Sequence, residues 1–306
     1  MVNALLTGFC GGELYWEIGR FAPYIFWKKR ELQKKNEDLI LVCLTRKDRL
    51  DIYGQNAEIL VPIEIEGDEV EYRQDCLRLK DFPKEKYDLI QNNFRLYYES
   101  SFNIVDHLYP NTNRRQFDNK WQFPRKQALY DYLPRSENKL LLNNYVQTEK
   151  PIVTLAPRFR HKMVRNWGGW QTLYEAISSN KYLMDSFTFV ICGKEPNYVP
   201  DKKGRFYDIN KITVGENSST IGLTIELLKR SILTVGSQSA IPNISLLLGI
   251  ESLQWGDQKH QHTIDYNVKK TPVTFIIDEN FSISAGRILE TMTKILKKKE
   301  IKNGKE

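Results

Sequence analysis

The sequence predicts an α/β protein made of two doubly wound halves, and three observations carry that expectation. Val2 to Thr7 is an apolar strand, Gly8, Gly11 and Gly12 surround a turn, and a helix follows from about Glu13. At Ile152 to Ala156 a second apolar strand begins, followed by a basic loop and another helix. The stretch Ser231 to Gly256 then reads strand, small-residue turn, helix, strand. Strands alternating with helices at this spacing form parallel sheets covered on both faces.

In the first half, Leu14, Ile18, Phe21, Ala22 and Ile25 recur at helical spacing and mark one apolar face. Lys28, Lys29 and Arg30 near the end of that helix suit its dipole. Leu39 to Leu44 and Glu58 to Pro62 are the next two strands. The turn Gly8-Phe9-Cys10-Gly11-Gly12-Glu13 departs from G-x-G-x-x-G, so it is no dinucleotide motif. From Glu64 to Asn144 the pattern is less regular; Glu85 to His107 has rough helical periodicity and Asn111 to Arg125 is turn-rich. A linker is placed at Val146 to Lys150, which divides the chain into residues 1–147, 148–282 and a terminal helix with a basic tail, 283–306.

In the second half, a helix is expected from Gly169 to about Lys181 and a buried strand from Phe187 to Cys192. A short strand near Ile212 to Val214 and a helix over Ile221 to Arg230 precede the Ser231–Gly256 unit. In that unit Ile232 to Val235 is the strand, Gly236 breaks it, and Ser237 and Ser239 are placed to cap the helix. Pro242 sits in the first turn and Gly249 ends the helix. Val273 to Ile276 is a last strand, and Ile288, Met292, Ile295 and Leu296 mark the terminal helix.

The 306 residues allow one large or two medium domains, and 41% hydrophobic with 12% aromatic content supports a full core. Cys10, Cys43, Cys76 and Cys192 show no CxxC spacing, which suits a reducing compartment. Four histidines, with only His260 and His262 close together, give no metal signature, so no metal site is expected. The net charge of +7 raises nucleic acid as a partner. Lys294 to Glu306 supplies +4 of it, however, so the charge gives that partner little support. No apolar run approaches the roughly 18–20 residues of a membrane span, and no signal segment opens the chain. A soluble, cytoplasmic protein is expected.

The second half resembles a known family. After the strand comes a basic loop closing on Arg165-Asn166-Trp167, then a helix, then F-x-F-V-I-C-G-K ending at Lys194. There follows I-x-x-T-I-E-L-L-K-R-S-x-L-T-V-G-S-Q-S-A-x-P-N-x-S-x-L-L-G-I, from Ile221 to Ile250. These residues are similar to the nucleotide-binding domain of GT-B glycosyltransferases, in particular the ADP-heptose:lipopolysaccharide heptosyltransferase-like group. The resemblance implies two Rossmann-like domains facing each other across a cleft, with the terminal helix packing back toward the first. It implies a nucleotide-sugar site in the second domain and an acceptor site in the first. Where the family's turn reads D-S/T-G, this chain has Gly236-Ser237-Gln238-Ser239, and the family's G-D element, whose Asp acts as base, is matched by Gly12-Glu13.

The implied activity is metal-independent transfer of a sugar from a nucleotide diphosphate to a hydroxyl acceptor, a glycan or modified DNA, with no cofactor besides the donor. Arg158, Arg160, Lys162 and Arg165 follow a strand end, where guanidinium and ammonium groups would neutralise the leaving diphosphate. Ser237, Gln238 and Ser239 offer hydroxyl and N–H donors to a phosphate at a helix N-terminus, and the same residues read equally as ordinary helix caps. Gly193, Lys194 and Glu195 end a central strand and are expected in the nucleotide pocket, with Glu226 a candidate for ribose hydroxyls. Gly11 and Gly12 form the turn that presents Glu13, the candidate base; the competing reading of Glu13 is a favourable first-turn charge. The alternative function is a non-catalytic nucleotide or sugar-phosphate binder on the same fold.

Overall fold

The computed structural model describes residues 1–9, 14, 17–63, 84–108, 131–158, 166–193, 198–257 and 267–303. They form two compact units, Met1–Arg135 and Ser136–Glu306. The division lies before the helix Ser136–Tyr145, whereas the sequence places the linker at Val146 to Lys150. The reason is a buried polar contact: Asn138 is fully buried and its Oδ1 accepts from the Ser219 backbone N–H at 3.0 Å.

In the first unit, β1 (Asn3–Phe9) leads through a π-helical turn (Glu17–Phe21) into α1 (Ala22–Gln33). β2 (Ile40–Arg46), the short α2 (Leu50–Tyr53), β3 (Ile59–Ile63), α3 (Lys84–Glu99) and β4 (Asn103–Leu108) follow. The strands make a four-stranded parallel sheet in the order β3-β2-β1-β4. Burial on both faces of a parallel sheet requires near-continuous apolar runs, and Leu41 to Leu44 are buried without a break. Ile18, Phe21, Ala22 and Ile25 are all fully buried, as the helical spacing predicts. The periodicity over Glu85–His107 holds only to Glu99, because Asn103–Leu108 pairs with β1 as a strand.

The second unit contains α4 (Ser136–Tyr145), β5 (Ile152–Ala156), α5 (Trp170–Ser178), α6 (Lys181–Ser186), β6 (Thr188–Ile191) and β7 (Tyr207–Asp208). It continues with α7 (Thr220–Arg230), β8 (Ser231–Ser237), α8 (Ala240–Leu248), β9 (Ser252–Gly256), β10 (Val273–Ile277) and α9 (Ala285–Asn303). The six strands are parallel, in the order β10-β9-β8-β5-β6-β7. Helices cover both faces. On one face Val153, Leu155, Leu233 and Leu253 pack with Trp170, Leu173 and Ile177 of α5 and with Ile288, Met292 and Leu296 of α9. On the other, Ile152, Ala156, Val190 and Cys192 pack with Leu142 of α4 and with Leu223 and Leu227 of α7.

Three local expectations are corrected. The helix that starts at Trp170 stops at Ser178, and Asn180 caps α6 by accepting from the Leu183 N–H at 3.2 Å. The strand expected at Ile212–Val214 lies instead at Tyr207–Asp208, where the chain pairs with β6. Gly236 does not break β8, which runs on to Ser237 because Gly236 pairs with Ala156 on one side and Gln254 on the other.

The end of the first unit is seated on α2. Arg135 holds the buried Asp51 through two bonds at 2.9 and 3.0 Å, and the Tyr132 hydroxyl donates to the Ile18 carbonyl. Gly54 has φ +47°, and a Cβ there would stand 2.0 Å from the Leu133 carbonyl oxygen. Gly54→Ala is therefore expected to lower stability by about 2–4 kcal/mol, combining strained backbone with a collision against main chain. Denaturant unfolding checks this, and a loss below about 1 kcal/mol would show that the 131–135 segment is not seated there.

Candidate functional site

The strand order of the second sheet places its candidate site. From β5 the chain builds outward through β6 and β7, then returns so that β8 pairs with the other edge of β5. The connections after β5 and after β8 therefore leave the carboxyl edge in opposite directions, and such a reversal opens a crevice where ligands of parallel α/β sheets bind. Arg158 lies two residues past β5, and Gln238 follows the last residue of β8. The Arg158 Nη1 donates to the Gln238 carbonyl at 3.2 Å, so a guanidinium spans the crevice.

The turn after β8 is tightly set. The Gln238 N–H donates to the Trp255 carbonyl at 2.8 Å, which holds the turn against the end of β9. Gly236 and Gly256 are both needed for close approach. A Cβ on Gly236 would stand 2.8 Å from Pro242 Cγ and 3.0 Å from the Ala156 carbonyl oxygen; one on Gly256 would stand 2.7 Å from Gln238 Oε1. α8 starts directly on this turn. Ser239 is its N-cap residue, with extended backbone, but its side chain makes no capping hydrogen bond. Ser237 belongs to the strand and is buried, so neither serine caps the helix as expected. The first-turn N–H groups, which carry the positive end of the helix dipole, thus receive no bond from the N-cap side chain. At its other end α8 stops at Gly249, whose left-handed φ of 87° lets its N–H reach the Leu246 and Ser245 carbonyls.

Below the turn lies an aromatic floor. Trp167, Trp170 and Trp255 pack edge to face or tilted, with centroids 4.9–5.5 Å apart, and the Trp167 indole donates to the Ile283 carbonyl at 2.8 Å. Gly193, after β6, packs against Tyr198, where a Cβ would come within 2.3 Å. Burial, reinforced by Asp208, pushes the nearby Cys192 thiol far above the usual range, so it stays a neutral packing group. Glu226 is half-buried on α7.

Of the residues singled out by sequence, the structure brings Arg158, Ser237, Gln238 and Ser239 together at one crevice. Arg160, Lys162, Arg165, Lys194, Glu195, Gly11, Gly12 and Glu13 lie outside the described residues. Sequence reading missed two features. One is Asn243 on α8, buried with its Oδ1 unpartnered among the described residues. The other is a buried cluster at the carboxyl edge of the first sheet. There Glu17 is fully buried and accepts from Arg49 Nη1 at 2.7 Å, the Tyr53 hydroxyl at 3.0 Å and the Thr45 hydroxyl at 3.3 Å. Burial raises the Glu17 carboxyl above the usual range, while Arg49 and Tyr53 pull it back down. Its partners are 28 to 36 residues away, which no local pattern reveals. Among the described residues no group of three or more His, Cys, Asp or Glu is placed to hold a metal, and no helix is long and apolar enough to cross a membrane.

No family profile matches the sequence, and no curated protein does. Solved structures match along almost the whole chain. A glycosyl transferase family 9 protein from Veillonella parvula is similar over 96% of this chain and 97% of its own, with TM-score 0.58 and 9% identity. E. coli ADP-heptose LPS heptosyltransferase II is similar over 97% and 99%, with TM-score 0.57 and 11% identity. E. coli heptosyltransferase WaaC, solved with ADP, is similar over 95% and 99%, with TM-score 0.53 and 8% identity. The fold is that of the GT-B glycosyltransferases. Both α/β units take part in the likeness, whereas the sequence motifs that suggested it lie only in the second.

The fit at Gly236 yields a test of the site's frame. Gly236→Ala sets a methyl group against a backbone carbonyl and the Pro242 ring, neither of which is the end of a flexible side chain. It is expected to cost about 1–3 kcal/mol, the range for overpacking. A thermal unfolding midpoint unchanged from wild type would show that α8 does not press on β8 at this point.

Proposed function

We propose that this protein is a glycosyltransferase that moves a sugar from a nucleotide diphosphate donor to a hydroxyl acceptor. One observation supports this above the others: the Arg158 guanidinium bridges the crevice at the β5/β8 reversal, beside the uncapped N-terminus of α8. A fixed cation and a helix dipole at one point are suited to the charge that develops on a departing diphosphate. The WaaC neighbour solved with ADP shares the fold, and ADP is a ligand of this class. Arg160, Lys162 and Arg165 would add positive charge from the same connection, and Lys194 and Glu195 would line the nucleotide from the end of β6. The acceptor is assigned to the first unit, with Glu13 as the group that takes the attacking hydroxyl's proton. A cytoplasmic site of action is part of the same proposal.

Two measurements test the proposal. Arg158→Ala is expected to weaken binding of a nucleoside diphosphate by about 1–3 kcal/mol, the scale of a lost charge-assisted contact. Unchanged affinity by calorimetry in the folded variant would remove Arg158 from the site. Glu13→Gln is expected to keep donor binding but lower the transfer rate by about 10²–10⁴-fold, the usual contribution of a positioned base. A rate within threefold of wild type, with a working acceptor, would remove Glu13 from the chemistry. Nucleotide binding with neither transfer nor hydrolysis, across a panel of nucleotide sugars and acceptors, would instead establish the non-catalytic binder.

A further inference from the structure

We infer that a buried water site lies between the Thr234 and Ser252 hydroxyls, beneath the second half of α8, and that the helix is seated on the sheet through it. The inference is independent of what the crevice binds.

The two faces of β8 and β9 differ in kind. Leu233, Val235, Leu253 and Trp255 pack on the side of α5 and α9. Side chains alternate along a strand, so Thr234, Gly236, Ser252 and Gln254 face the other way. α8 covers this second face, because a Cβ on Gly236 would stand 2.8 Å from Pro242 Cγ. Ser245 comes one turn after Pro242, on the same side of the helix, and is fully buried. The layer between helix and sheet is thus polar and made of short side chains, where the opposite layer is apolar and bulky. Thr234 precedes Gly236 by two residues, roughly 6–7 Å toward the amino edge. α8 returns the chain in that direction, and the same distance is about four helical residues. This places Thr234 beneath Ser245 and Leu246.

Thr234 and Ser252 stand opposite each other in the parallel pairing. Both are 0% exposed, and neither hydroxyl has a hydrogen-bond partner among the described residues. One strand away on the same face, Thr154 and Ser231 have equivalent chemistry and are also buried. Their hydroxyls bond to each other at 2.6 Å, and Ser231 Oγ donates to the Leu227 carbonyl at 2.8 Å. The first pair is open and the second closed.

Buried hydroxyls are nearly always hydrogen-bonded, and ordered water is the usual partner where side chains do not meet. Water can donate to one hydroxyl of the open pair and accept from the other. A third partner is at hand. Ser245 Oγ donates its proton to the Pro242 carbonyl at 2.6 Å and keeps its acceptor capacity. Three polar partners match the number that buried water ordinarily has.

A crystal structure of the full chain tests the site directly. Density for a water is expected within about 2.7–3.2 Å of both the Thr234 and Ser252 hydroxyls. Hydroxyls bonded straight to each other, or no density between them, would overturn the inference. So would a peak ringed by six or more oxygens at about 2.3–2.6 Å, the mark of a cation. Substitution gives a second measurement, in which the sign decides. Thr234→Val and Ser252→Ala each take one partner from the water, and each is expected to lower the thermal unfolding midpoint by about 2–4 °C. The double variant is expected to lose less than the sum, because removing both partners of a buried contact costs less than removing one. A hydroxyl that truly lacks a partner predicts the opposite sign, since Thr234→Val then deletes an unsatisfied polar atom at constant shape. A midpoint raised or unchanged by Thr234→Val, or full additivity in the double variant, therefore counts against the water site. If a variant does not fold, the wild-type density still decides.

Discussion

The pairing of β8 with β5 is the constraint on which the second unit depends. β7 precedes β8 in the chain, yet β8 lies on the far side of β5, paired from Ile152 opposite Ser231 to Ala156 opposite Gly236 with one register shift between Ile152 and Val153. Parallel strands cannot be joined by a tight turn, so each return needs a crossover, and α7 supplies this one. The consequence is chemical. Two connections leave the carboxyl edge side by side, one bringing a guanidinium and the other a helix N-terminus. Gly236 permits this by having no side chain between Pro242 and the Ala156 carbonyl.

Buried polar contacts fix the surrounding elements in place. Asn138 accepts from Ser219 at the start of α7, and Gly222 leaves room for the amide, so α4 and α7 are locked in one register. In the first unit Asp51 with Arg135, and Glu17 with Arg49 and Tyr53, bind segments far apart in sequence. Such buried pairs add little net stability, because desolvation offsets the attraction, but breaking one leaves an uncompensated charge. The π-helical turn that begins at Glu17 is set against the end of β2 by this cluster, since Thr45 both pairs with the end of β1 and donates to Glu17.

Unpartnered atoms at the crevice contrast with these satisfied pairs, although others, such as Thr234 Oγ1 and Ser252 Oγ, lie elsewhere in the sheet. Asn138, Asp51 and Glu17 have their partners. At the turn after β8, the Gln238, Asn243 and Ser237 oxygens lack them among the described residues, and Ser239 leaves α8 uncapped. Buried polar groups are nearly always hydrogen-bonded, so these three oxygens mark the turn as a place with unused acceptor capacity.

The sequence by itself determined what local periodicity encodes. The buried strands were legible as unbroken apolar runs, and α1 and α9 as faces spaced at 3.6 residues, because burial on one or both sides selects those patterns directly. The repeated strand–turn–helix openings and the motifs from Ile221 to Ile250 likewise indicated the GT-B fold that the solved structures share. The positions of Arg158 and the turn around Gln238 were legible too, since each follows a strand. Only the tertiary structure decided the rest. Gly236 looked like a strand breaker until its two neighbouring strands were seen to hold it in the ladder. Ser237 and Ser239 looked like caps until the register buried one and left the other unbonded. Asn243, and the Glu17–Arg49–Tyr53 cluster, could not be found in a linear pattern, because a polar side chain acquires its role from atoms tens of residues away that only the folded chain brings within hydrogen-bond reach.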